Sequence, residues 1–408
     1  MNIIQVPRRF VRSEWGGTET VILETGKCLL KKGYHTEIIC SKALADEDSD
    51  TMEGVKIRRV SYFYPYWGLS RSARRRLDKK GGNLFSFELM RLLLKTPAID
   101  LIHLHTMKRI GGICRYVAGK KGIPYIVSLH GGVYDVPPEE SESWTAPTKN
   151  AFEWGKLLGW WVGSRRVLED AAAIICVGLK EKEEIEKRFP GKRVIHLPNG
   201  VDTKRFSKGN GANFRKKYDI DLEDTVILTV GRIDPQKNQL FIIRNIPELL
   251  KVYPDFHFVF IGSVTNEEYA GSIETEIASR NLKNNVTIIY GVNANSNELV
   301  DAYHAANLFL LPSIHEPFGI VILEAWAAGL PVIANKVGGV PSFVENGKDG
   351  ILVEPNDEKE LLRAFKYLMD NRERRQALAQ AGQKKARGNY DWDKITEQLI
   401  TIYKEVVD

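Results

Sequence analysis

Cysteine is scarce in this chain. The four present in 408 residues, Cys28, Cys40, Cys114 and Cys176, stand far apart, with no CxxC and no Cys/His metal spacing. They are expected as buried thiols in a reducing cytoplasm, not as ligands or disulfides. Long apolar runs are also missing. Ala171–Gly178 is among the longest, well short of the roughly 20 residues that cross a bilayer. The opening MNIIQVPRRF is a short strand-like run followed by arginines, without the apolar core of a secretory signal. No low-complexity tract or short repeat is found. No GxGxxG follows the first strand, and no acidic residue stands at the expected ribose position, which argues against a nicotinamide-dependent oxidoreductase. Nothing resembles a nucleic-acid-binding motif.

What is present fits a soluble α/β protein. A length of 408 residues suggests two or three domains. Charge is unevenly spread. Residues 1–195 carry 33 Lys and Arg against 23 Asp and Glu, whereas the remainder carries 25 against 29. The net +10 of the first part should attract an anionic partner: a phospholipid surface, a lipid-diphosphate acceptor or nucleic acid. The absent motifs argue against the last.

Short apolar runs alternate with amphipathic stretches, the pattern of parallel α/β architecture. Strands are expected at Asn2–Val6, Thr36–Cys40, Val55–Val60, Leu101–Leu104, Tyr125–Leu129 and Ala173–Cys176. The series restarts at Thr225–Val230 and continues through Phe256–Ile261, Val286–Tyr290, Leu308–Leu311, Pro331–Ala334 and Gly350–Val353. An eleven-residue loop is expected to link the first strand to a helix over Thr18–Lys32, ending at Gly16-Gly17. The turn-rich Leu197–Thr203 separates the two series. The predicted domains are 1–197, joined by a C-terminal helix over 390–408, and 198–389. Trp392–Val407 is long enough to pack back across both. Two copies of one architecture imply a cleft between them, with ligands bound beyond the carboxyl ends of the strands.

The strongest chemical signal is Leu308–Leu311 followed by Pro312-Ser-Ile-His-Glu-Pro-Phe-Gly-Ile-Val-Ile-Leu-Glu-Ala-Trp-Ala-Ala-Gly329. A strand runs into a loop, then into a helix expected to start near Phe318 and stop at Gly329. The start of that helix offers unpaired N–H groups and a positive dipole end to a diphosphate, and Gly319 permits close backbone approach. Glu316 and Glu324 are eight residues apart. Were the span mostly helical they would lie roughly 10–12 Å apart along the axis, too far for the retaining-glycosidase pair at about 5–5.5 Å. They are therefore expected to contact different parts of one extended ligand. Taken singly, Glu316 could instead cap the helix and Glu324 could be a solvated face residue.

This segment resembles the E-x7-E motif, in its EPFG form, of the retaining glycosyltransferases of family 4. Gly231-Arg-Ile-Asp-Pro-Gln-Lys237 is similar to the family's G-R-x-x-x-x-K loop, and Pro198-Asn-Gly-Val-Asp202 to its linker. Gly338-Gly-Val-Pro341, Asn346–Leu352, Gly16-Gly17 and His130-Gly131 match further family elements, so the resemblance covers nearly the whole chain. It implies the GT-B fold: two Rossmann-like, doubly wound parallel-sheet domains facing a central cleft, with the C-terminal helix crossing back to the first.

The resemblance also implies roles. Arg232 and Lys237 hold the donor diphosphate and stabilise the charge that grows on it. Glu316, with N–H groups from Phe318 through Gly319 and Ile320 to Val321, holds the donor sugar and phosphate. Glu324 receives the ribose hydroxyls. Asn199, Gly231 and the segment Gly291-Val292-Asn293 complete the donor site, the last lining the base pocket. In the first domain Gly16 and Gly17 approach the distal phosphate or acceptor, and His130 lies beside the reacting sugar. Glu316, His130, Arg232 and Lys237 are thus the expected catalytic set. His103 and His105 are expected on opposite faces of a strand end.

The implied reaction transfers a hexose-type sugar, with retention, from a nucleotide diphosphate sugar to a hydroxyl of a glycan or lipid-linked acceptor. A UDP-sugar is favoured over GDP-mannose. No carboxylate suits a double displacement, so a front-face substitution is expected. No cofactor and no metal are expected, since Arg, Lys and a helix end supply the positive charge. Tyr62–Lys80 couples aromatics to six cations, and Lys156–Arg166 repeats the combination. This suggests peripheral contact with the anionic inner face of the cell membrane. The competing readings are a nucleotide-sugar epimerase of the same fold and a non-catalytic nucleotide-sugar binder.

Overall fold

Residues Asn2–Val6 (β1) form a central strand of the first of two units. In a computed structural model, which describes residues 1–131, 145–293 and 295–408, unit one comprises Met1–Pro198 with Trp392–Asp408, and unit two Asn199–Asp391.

In unit one the strands are β1, His35–Ser41 (β2), Ser49–Met52 (β3), Val55–Val60 (β4), Tyr66–Trp67 (β5), Leu101–Leu104 (β6), Tyr125–Leu129 (β7), Phe152–Glu153 (β8), Ala173–Cys176 (β9) and Val194–His196 (β10). Eight make one sheet in the order β10-β9-β7-β6-β1-β2-β4-β3, and β5 pairs with β8 in a separate ribbon. The sheet is parallel except at β3–β4. Strands β6, β7 and β9 are buried along their whole length, as expected when helices cover both faces of a parallel sheet. The closing helix Trp392–Val407 belongs to this unit. Its Trp392, Ile395, Leu399 and Tyr403 pack with Ile3, Leu101, Ile126 and Ile175.

Unit two contains Thr225–Val230 (β11), Phe256–Gly262 (β12), Val286–Tyr290 (β13), Leu308–Leu311 (β14), Val332–Asn335 (β15) and Ile351–Val353 (β16). They form a fully parallel sheet in the order β13-β12-β11-β14-β15-β16. Chain order reverses across β11 and β14 here, and across β1 and β6 in unit one. Such switch points leave a crevice at the carboxyl ends of the strands.

The expected strands are all present, several with ends moved by a residue. Four others, β3, β5, β8 and β10, were not expected. They are two to four residues long, and β3 (Ser-Asp-Thr-Met) is a polar edge strand, so none carries a hydrophobic period. The loop expected after β1 is interrupted by a helical turn at Arg12–Glu14, and the helix begins at Gly17 itself (Gly17–Lys31). Gly17 is therefore its first residue and Gly16 its N-cap.

Candidate active site

In unit two most of the residues singled out from the sequence lie on the loops that leave the carboxyl ends of β11, β13 and β14 or on the helix that follows β14. The loop after β11 folds back on itself. Asp234 accepts the Lys237 backbone N–H at 3.2 Å and the Thr265 hydroxyl at 3.0 Å. That turn carries Lys237 to the loop after β14, where its Nζ lies 2.5 Å from Glu316 Oε2. The same carboxylate oxygen accepts from the Ser313 hydroxyl at 3.3 Å. Both partners of the ion pair are largely buried, at 13% and 9% side-chain exposure, so each charge depends on the other for its stabilisation.

Gln236 ties the two loops together. Its Oε1 accepts from Arg232 Nη2 at 2.9 Å, its Nε2 donates to the His315 carbonyl at 2.9 Å, and its own carbonyl accepts the Ile314 N–H at 2.9 Å. Arg232 also lies 3.2 Å from Asp234 and keeps 41% of its side chain exposed. Its guanidinium is thus oriented but still able to meet a ligand.

The helix after β14 runs over Ile320–Ala327, two residues later than expected. Gly319 precedes it with φ +101°, a left-handed conformation that a side chain would strain. With Glu316 three residues ahead of Gly319 on the loop, the span between the two glutamates is only half helical, and the axial separation expected for a helix does not apply. Glu316 is not the cap, since the N-cap position is Gly319 and no side chain bonds there. The loop is pressed against the following glycine pair. Gly339 N–H donates to the Glu316 carbonyl at 2.9 Å, and a Cβ on Gly338 would stand 2.1 Å from that oxygen. Phe318 is buried and stacks on Phe343 with centroids 4.6 Å apart.

Glu324 is not a freely solvated face residue. It is half-buried, and Tyr303, itself fully buried, donates its hydroxyl to Glu324 Oε2 at 2.6 Å. Burial pushes the carboxyl above the ordinary range, against the pull of the Tyr303 hydrogen bond and of Arg205. One oxygen is thereby occupied by the protein. Ile320 and Val321 on the same helix are half-buried. Gly231 donates to Ile261 O at 2.9 Å, and Gly291 to Gly262 O at 3.1 Å, so Gly291 and Val292 sit at the adjacent strand ends. Asn199 is buried at the start of the unit. Sequence reasoning missed Tyr303, Gln236, Asp234 and Ser313. The last three stand inside motif loops, whereas Tyr303 lies on an apolar helical face whose only clue is that a buried hydroxyl needs a partner.

Unit one holds a different kind of cluster. The expectation that His103 and His105 face apart is wrong: side chains two apart on a strand share a face, and the two rings lie 4.1 Å apart. His105 Nδ1 meets His130 Nε2 at 2.9 Å, and His105 Nε2 meets Gln5 Oε1 at 3.3 Å. His103 bridges Ser128 Oγ and the Tyr403 hydroxyl, each at 2.7 Å. Burial depresses all three imidazoles, His130 to about 4 and His103 to about 3, with His105 well below its ordinary value and further lowered by its two neighbours. The rings are therefore neutral near pH 7. Gly16 gives its N–H to the Glu19 carboxylate at 3.1 Å. Among the described residues no group of three or more His, Cys, Asp or Glu gathers as a metal cage.

Comparison with known proteins fits this arrangement. Residues 15–205 match the model of Glycosyltransferase Family 4, and residues 211–385 that of Glycosyl transferases group 1. The D-inositol 3-phosphate glycosyltransferase of Kineococcus radiotolerans is 27% identical, over 96% of this chain and 91% of its own length. The GDP-mannose-dependent alpha-(1-6)-phosphatidylinositol monomannoside mannosyltransferase of Mycolicibacterium smegmatis is 31% identical, over 56% of this chain and 61% of its own. Among solved structures, Anabaena HepE in complex with UDP superposes with a TM-score of 0.76 at 17% identity, covering 99% of this chain and 100% of that one. Sucrose-phosphate synthase of Thermosynechococcus elongatus gives 0.74 at 20%, covering 99% and 98%. With its two parallel-sheet units of GT-B type, the chain belongs to the family 4 glycosyltransferases.

Proposed function

We propose that this enzyme transfers a hexose, with retention and without a metal or other cofactor, from a nucleotide diphosphate sugar to a hydroxyl of a glycan or lipid-linked acceptor. The observation that carries this reading is the Lys237–Glu316 pair at 2.5 Å, set between Arg232 and the glycine-initiated helix at Ile320. Two cations and a helix N-terminus at one switch point favour a diphosphate and the charge that grows on it as the sugar bond breaks. Glu316 supports a binding role more than a nucleophilic one, because its Oε2 already accepts from Lys237 and Ser313. Glu324, its other oxygen held by Tyr303, suits ribose hydroxyls. A front-face substitution follows, in which the leaving phosphate helps to deprotonate the incoming hydroxyl.

A UDP-sugar is the favoured donor. GDP-mannose is second, and the name of the Mycolicibacterium smegmatis relative supports keeping it. Thermal shift with UDP-, GDP- and ADP-sugars tests this, since a ligand at about 100 times its Kd adds about 2.7 kcal/mol. Stabilisation by ADP-sugars alone would refute both donor assignments.

The acceptor side is read from the surface of unit one. No described helix is long and apolar enough to cross a membrane. Yet Trp160 is 83% exposed, Leu157 76%, and Trp67 and Phe152, stacked at 5.5 Å, 64% and 65%. Exposed Arg71, Arg74, Arg75 and Arg76 share one short helix. Exposed aromatics with basic side chains suit an anionic bilayer interface, which supports a cytoplasmic enzyme working at the inner face of the membrane. Co-sedimentation with anionic vesicles at low salt tests it, and absence of binding removes this part of the proposal.

A further inference from the structure

The histidines of unit one connect to a residue that the transfer reaction has no evident use for. Gln5 is the one polar residue in the interior of β1 and is fully buried. Burying an amide in a central strand is unfavourable unless its hydrogen bonds are satisfied. Its Nε2 donates to the Thr36 hydroxyl at 3.2 Å, and its carbonyl faces His105 Nε2 at 3.3 Å. That carbonyl only accepts, so His105 Nε2 carries the proton. A neutral ring then has a bare Nδ1, and this atom must accept from His130 Nε2–H across the 2.9 Å contact. Each step fixes the next. The chain ends at His130 Nδ1, which is buried and has no hydrogen-bond partner among the described residues. The opposite polarity would end on a buried N–H without an acceptor, the rarer outcome in proteins.

We infer that Gln5 and His105 are positioning residues that hold His130 as its Nε2–H tautomer, so that its bare Nδ1 accepts a hydrogen bond from a sugar hydroxyl. The inference rests on the placing of His130 beside the reacting sugar. The chemistry discriminates between ligand groups: a lone pair at Nδ1 welcomes an O–H and repels a phosphate oxygen. Burial agrees, since it keeps the rings neutral, and a protonated His105 could no longer accept from His130. His103, itself bonded to Tyr403 and Ser128, lies against His105 with centroids 4.1 Å apart and planes 40° apart.

The wild-type enzyme, labelled with ¹⁵N at its histidines, tests this without any variant. The His130 resonances, identified by their loss in His130→Gln, should show a protonated Nε2 and an unprotonated Nδ1 at pH 7. The reverse assignment overturns the inference whatever the activity. Gln5→Leu removes the acceptor that faces His105. It should mix the two tautomers and lower kcat/KM by roughly 10-fold or more, as for other partners that orient a functional imidazole. Turnover is measured with whichever of UDP-glucose, GDP-mannose or ADP-glucose most raises the Tm. Equal kcat/KM in a folded Gln5→Leu enzyme with mixed tautomers overturns the positioning role. Full turnover in His130→Ala instead overturns the placing of His130, and the spectrum shows which of the two ideas has failed.

Discussion

The two units solve the burial of polar groups in opposite ways. Unit two keeps its candidate site charged: Lys237 and Glu316 are drawn out of water together, and neither is stable there alone. Unit one keeps its cluster neutral: His105 bonds to His130, His103 to Ser128 and Tyr403, and burial holds all three rings unprotonated. A charged site suits a phosphate, and a neutral one suits hydroxyls. The difference predicts that the halves respond to different perturbations.

Glu316→Ala gives the largest expected effect. Transfer should fall by on the order of 10²–10³ or more, the scale of losing a group that organises transition-state charge, and Tm should fall too, because Lys237 is left buried without its partner. Steady-state kinetics beside thermal unfolding check this. Activity retained with a large loss of Tm would make the pair structural and erase the contrast.

Acid should act on unit one. All three imidazoles have folded pKa values below their ordinary 6.5, so the unfolded chain binds more protons and stability rises with pH. Stability is at its full value above about pH 6.5 and declines as pH falls towards about 4, by up to about 1.4 kcal/mol per pH unit for each proton. Urea melts across that window should show the slope, and His103→Gln should make it shallower. A flat profile would mean that the rings titrate normally.

Gly338→Ala adds a Cβ 2.1 Å from the Glu316 carbonyl, at a residue whose φ is +52°. The backbone must shift, at about 1–3 kcal/mol of stability, and transfer should drop with it. Equal urea midpoints for variant and wild type would show that the loops are looser than described. The smallest effect is expected from Tyr303→Phe. Losing the bond to Glu324 should cost about 1 kcal/mol and raise KM for the sugar nucleotide several-fold while kcat holds. A change in kcat alone would move Glu324 out of the nucleotide site.

How much was legible follows the same division. The long parallel strands and the loops of unit two announce themselves because their chemistry is local: Gly231 to Lys237 is one turn, and Glu316 to Gly319 another. Only the helix start was misplaced, because Gly319 enters it in a left-handed conformation that a helical period does not reveal. The contact between the two loops, through Gln236 and Lys237, spans 79 residues and leaves no periodic trace. In unit one almost nothing of the cluster was visible. Gln5, His105, His130 and Tyr403 are brought together by strand register and by the last helix, and the i, i+2 pair was assigned to the wrong faces.

That last helix also sets an order of events during synthesis. The face of the first sheet that includes Ile3, Leu101 and Ile126 is covered by Trp392–Tyr403, residues the ribosome makes only after unit two. All of unit two must be translated before the first domain can close, and His103 lacks its Tyr403 partner until then. A nascent chain therefore carries an open apolar face for most of its synthesis, and a stop codon before Trp392 would leave that face open for good.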